Sequence, residues 1–168
     1  MNWSGHWHGY GPWTGPSTVY AREGGRRPPH PNGPPSVLNP EDKKQQQVLD
    51  RYREAAAEFQ TGNVPPTMTG WWLTKKTHVS AERTWADMGI AISWLTKQYE
   101  ANLPFERADG LQAYNSLKSK LEYATDVLPC GVDVSWVYYV PAKNVIAFAV
   151  VCCPNRFHPE LPCPLPPQ

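Results

Sequence analysis

The chain has 168 residues, a formal net charge of +1 and 12% aromatic residues. That length allows one domain, and the balanced charge, with Arg26-Arg27 its one dense basic pair, argues against the basic stripe of a nucleic-acid reader. Its 19 prolines crowd into residues 1–40 and 154–168, leaving a Pro-poor middle as the part able to bury a core.

The first residues carry neither a basic nor an apolar signal region. No apolar run approaches the roughly 20 residues of a membrane span. The expected location is cytoplasmic, with no membrane and no nucleic acid as partner.

Residues 1–38 read as a Gly/Pro/aromatic-rich extended tail, because no helical or strand period fits them. Rigid rings on a flexible, polar backbone are good anchors for a partner's pockets. Trp3, Trp7, Tyr10 and Trp13 are therefore candidate partner-binding residues, the partner being another protein chain, identical or different. The competing reading folds these rings over the chain's own core. His6-Trp7-His8 puts two imidazoles on one side of an extended segment, a weak grip for Cu²⁺, Ni²⁺ or Zn²⁺.

Asn39-Pro40-Glu41-Asp42 has the form of a helix start. Val48, Tyr52, Ala55 or Ala56, and Phe59 mark one stripe of a helix over about 40–60, ended by Gly62-Asn63. Trp71-Trp72-Leu73 is a candidate third short strand. Ser80 then caps a second expected helix to about Leu103, with Trp85, Met88, Ile92, Leu95 and Tyr99 as its apolar seam. Pro104 separates it from a third, about Arg107 to Leu128. Two apolar, β-branched and aromatic runs follow, Cys130–Val140 and Val145–Cys153, joined by a Pro…Asn turn: a β-hairpin expected to be buried on both faces. The fold class is thus α+β over 39–153, three helices followed by a C-terminal β-hairpin. Residues 154–168 form a second Pro-rich tail.

The hairpin register gathers Cys130 near Cys152 and Cys153. Three readings follow: a disulfide from Cys130, a zinc site from Cys130, Cys153, His158 and Cys163, or buried free thiols. Alternation sends Cys152 and Cys153 to opposite faces. No nucleotide-binding or hydrolase motif is present. The sequence therefore reads as a non-enzymatic structural subunit or adaptor without a cofactor, zinc excepted. The alternative is a small enzyme or ligand-binding protein whose pocket would lie between helices and hairpin. Trp71, Trp72, Trp85, Trp136 and Tyr138 would line it, with His78 or Asp133 as its polar group.

Overall fold

Strand β4, which spans Asn144–Cys153, is buried at every residue from Val145 onward. Burial on both faces requires a layer above and a layer below, and the computed structural model, which describes residues 3–29, 33–111 and 114–168, supplies both. The fold is α+β around a four-stranded antiparallel sheet. Its strands are β1 (His6–Pro16), β2 (Thr84–Trp85), β3 (Val134–Tyr139) and β4, in the order β2-β1-β4-β3.

The hairpin forms as the sequence indicates, with Trp136 opposite Phe148 and Tyr138 opposite Ile146. The burial expected of both strands holds for β4 alone. Strand β3 lies at the sheet edge and alternates, burying Val134, Trp136 and Tyr138 while Ser135 and Tyr139 face solvent.

The largest correction concerns the expected N-terminal tail. Residues 6–16 are not a segment outside the domain; they are a central strand paired with β4 from His6↔Cys153 to Pro16↔Asn144 and with β2 on its other side. The glycines that suggested flexibility are contact points. A Cβ on Gly9 would lie 2.6 Å from the Trp85 ring, and one on Gly11, whose φ is +88°, would lie 2.8 Å from the Ala147 carbonyl oxygen. Glycine lets rings and backbone approach where any side chain would collide.

The other elements are α1 (Ser17–Tyr20), α2 (Lys43–Thr61), α3 (Met88–Ala101) and α4 (Leu117–Val127). Helix α2 starts later than expected because Asp42, not Asn39, caps it, accepting from the Lys44 and Gln45 amides. Asn39 instead closes the preceding turn through the Glu41 amide. Helix α3 is capped by Asp87, not by Ser80 as expected, and Trp85, expected in its apolar seam, belongs to β2. Helix α4, capped by Ser116, starts at Leu117, ten residues after Arg107. Trp71–Leu73 forms a 3-10 turn within Thr69–Thr74, not a strand.

The sheet separates two apolar layers. On one face Trp7, Trp136, Tyr138, Phe148, Val150 and Cys152 pack with Ala91 and Leu95 of α3 and with Ala124 of α4. On the other, Tyr10, Trp72, Leu73, Ala149, Val151 and Cys153 form one cluster, and Trp13, Val145 and Ala147 form a second. No helix among the described residues is long and apolar enough to cross a membrane.

Candidate metal centre

A β-strand sends alternate side chains to the same face. In β1 that rule puts His6, His8 and Tyr10 on one side of the sheet and Trp7 on the other. Antiparallel pairing then sets His6 directly across from Cys153, and His8 across from Val151. The C-terminal segment returns over this face and adds Cys163. One ligand atom from each of His6, His8, Cys153 and Cys163 lies within 4.8 Å of all the others.

The separations lie within a few tenths of an ångström of tetrahedral spacing for the three pairs His6–His8, His6–Cys163 and His8–Cys163. Zn–N bonds of about 2.0–2.1 Å and Zn–S bonds of about 2.3 Å place neighbouring ligand atoms about 3.3–3.8 Å apart. His6 Nε2 and His8 Nε2 are 3.1 Å apart, and Cys163 Sγ lies 3.2 Å from His6 Nε2 and 3.8 Å from His8 Nε2.

A further contact orients one ligand. The Thr84 hydroxyl donates to the Ser80 carbonyl at 2.8 Å, so toward His8 Nδ1, 2.9 Å away, the same oxygen must accept. Nδ1 then carries the proton, and the Nε2 lone pair faces the cluster. Metal-binding histidines are held in this way by a hydrogen bond to their other nitrogen. Burial and the neighbouring His6 push the His8 pKa down to about 4, and burial lowers that of His6 as well, so both rings are neutral near pH 7. Burial pushes the Cys153 thiol up to about 12, and the neighbouring Cys163 adds to the rise. A bound dication would reverse that preference, because metal-bound thiols are deprotonated outright.

Behind the centre, Asn155 sets the path of the returning chain. Its amide donates to both carboxylate oxygens of Asp133, at 3.0 and 2.8 Å, and its Oδ1 accepts the Phe157 and His158 amides. Asp133 also accepts the Cys152 amide at 2.8 Å. Burial raises the Asp133 pKa, and these hydrogen bonds oppose the rise. Leu161 packs on the Tyr10–Trp72 cluster, and the Trp3 indole donates to the Pro154 carbonyl at 3.1 Å.

Two of the four metal candidates read from the sequence, Cys153 and Cys163, are in the cluster. Cys130 is an exposed free thiol outside it. His158 points elsewhere, its ring 5.9 Å from that of Trp71 and its Nδ1 3.5 Å from Glu160. The two missing ligands come from the His-x-His pair, whose same-side geometry was legible but whose partners were not.

Of the proposed docking rings, Trp7, Tyr10 and Trp13 are buried in the chain's own layers, while Trp3 is half-buried against Trp7 at 5.2 Å. The alternative pocket residues divide between the two faces. Trp85, Trp136 and Tyr138 belong to the helix-side layer, and Trp72 and His78 pack together on the other, with ring centres 5.7 Å apart. Asp133 holds Asn155, and Trp71 lies beside His158. The sheet keeps these groups from lining one cavity.

No protein-family model, curated protein or solved structure matches this chain.

Proposed function

We propose that this chain is a zinc-binding, non-catalytic structural domain in which the ion fastens the C-terminal Pro-rich segment to the central sheet. The observation carrying this reading is the convergence of His6, His8, Cys153 and Cys163 on one point from both ends of the chain. Two imidazoles and two thiolates are a ligand set typical of structural zinc. Four protein ligands complete a tetrahedral shell, whereas catalytic zinc keeps one position for water or substrate. That argument favours a structural subunit or adaptor over an enzyme. With three of the four candidate docking rings buried in the core, a partner would meet another surface than the aromatic N-terminus.

The test is elemental analysis and native mass spectrometry of protein purified without chelator or affinity metal. One zinc per chain is expected, and cobalt substitution should give the visible absorption of a tetrahedral site with two thiolates. His8→Ala and Cys163→Ser should each lose the ion while Cys130→Ser keeps it. Metal retained by Cys163→Ser, or lost in Cys130→Ser, would refute the assignment.

A further inference from the structure

We propose that Cys163 and Cys153 form a peroxide-reactive pair, and that their oxidation to a disulfide releases the ion and detaches the C-terminal segment from β1 while tethering it to β4. This inference rests on the zinc reading above and adds the regulation of the same site.

Three observations carry it. The two sulfurs lie within 4.8 Å of one another, so bond formation needs a short approach and no refolding. They differ in access: Cys163 is exposed, whereas Cys153 is only 2% exposed beneath the returning chain. Redox-sensing cysteines are accessible thiolates with a resolving thiol beside them, and this arrangement assigns Cys163 the first role and Cys153 the second. Finally, the ligands divide into two sulfurs and two nitrogens. Once the sulfurs are consumed only His6 and His8 remain, too few to retain zinc against solvent.

The oxidant is a hydroperoxide. The Cys163 thiolate attacks the outer oxygen of hydrogen peroxide; an S–O bond forms, the O–O bond breaks, and the departing hydroxide takes up a proton as water. The product is Cys163 sulfenic acid. The Cys153 thiolate then attacks that sulfur. The S–S bond forms, the S–O bond breaks, and the hydroxide takes a second proton. Two thiolates, one peroxide and two protons give one disulfide and two waters, with zinc leaving unchanged in oxidation state.

With the ion gone, Cys163 loses its bonds to the strand bearing His6 and His8. The segment beyond Asn155 is then held to the sheet by the disulfide, by Leu161 and by the Asn155 turn. The centre would therefore loosen on the β1 side and remain anchored to β4.

The test treats the zinc-loaded full chain with one equivalent of hydrogen peroxide. A chromogenic chelator reports released zinc, and intact mass and tryptic mapping report the bond. Trypsin cleaves after Lys143 and Arg156, so the peptides bearing Cys153 and Cys163 remain joined only through a disulfide. Cys152→Ala separates Cys153 from its neighbour. One zinc released per disulfide, with binding restored by dithiothreitol, is the expected result. In Cys153→Ser, dimedone should trap the Cys163 sulfenic acid, while Cys163→Ser should leave Cys153 unlabelled. Zinc retained after peroxide, a disulfide to Cys130 or Cys152, or the reverse dimedone pattern overturns this proposal and leaves the zinc reading standing. A reduced protein that binds no zinc overturns both.

Discussion

His6 and Cys153 stand directly opposite one another across the β1–β4 ladder, and each offers a ligand atom to the same cluster. Directly opposed residues in an antiparallel pair have Cβ atoms about 4.5–5.5 Å apart, so the pairing that builds the sheet also builds half of the metal centre. Anything that disturbs the register of β1 therefore disturbs the centre, and the converse coupling can be measured.

Removal of the metal should lower the melting temperature and expose residues 154–168 to protease before the rest of the chain. An ion present at a hundred times its dissociation constant stabilises by about 2.7 kcal/mol, roughly 5–10 °C for a chain of this size. Differential scanning fluorimetry with and without a strong chelator checks the shift, and zinc added back should restore it. A chelator-insensitive melt would count against the centre.

Deleting residues 1–16 should abolish the cooperative transition. The deletion removes a strand flanked on both sides, together with Trp7, Tyr10 and Trp13. A milder probe is Gly9→Val, whose added carbons meet the Trp85 ring; overpacking of this kind costs about 1–3 kcal/mol. Denaturant unfolding followed by tryptophan fluorescence reads both. A truncated chain with an unchanged midpoint would show that β1 is dispensable.

Asn155→Ala should destabilise by about 2–4 kcal/mol, a buried unsatisfied group costing about 1–3 kcal/mol. The buried Asp133 carboxylate keeps the Cys152 amide but loses its Asn155 donor, and the Phe157 and His158 amides lose their acceptor. Zinc affinity should fall too, because the turn leading to Cys163 loses its anchor. Asn155→Asp adds a sign. Two facing carboxylates raise each other's folded pKa above the unfolded value, so stability is greatest in acid and is lost as pH rises through the carboxylate range. Urea midpoints at pH 4 and pH 7 should show the variant relatively stronger at pH 4.

Lys75 makes the alkaline prediction. Its ammonium caps the carboxyl end of α2, donating to the Phe59 and Gly62 carbonyls at 2.5 and 2.8 Å, and lies over the Phe59 ring. Burial pulls its pKa down to about 8 from 10.5. Between those values the unfolded chain binds more protons than the folded one, so stability should rise with pH from about 8 to 10.5. Below pH 8 the full penalty of the buried charge is present. Lys75→Met should remove the slope while costing α2 its cap. Stability measured at pH 7.5, 9 and 10.5 for both proteins decides it, and parallel curves would refute the assignment.

What the sequence alone determined is what local pattern can carry. The apolar runs around Trp136 and Phe148 specify the hairpin, the stripe through Ile92, Leu95 and Tyr99 specifies α3, and Pro and Gly mark where elements stop. Boundaries slipped where two caps competed, as at Asn39 and Asp42, because both residue types bond nearby amides and only packing selects the one that starts the helix. The period of two in His6-Trp7-His8-Gly9-Tyr10 was present as well. It was obscured by glycines that, taken alone, signal flexibility, and become close-packing positions only once Trp85 and the Ala147 carbonyl stand over them. The tertiary structure decided the metal centre. A strand reveals which of its side chains share a face, but the identity of its neighbour depends on contacts across the whole chain. No local pattern near His6 names Cys153, and none near Cys163 names either histidine. Their meeting follows from the β1–β4 register and the Asn155 turn, both long-range consequences of burying β4 on two faces.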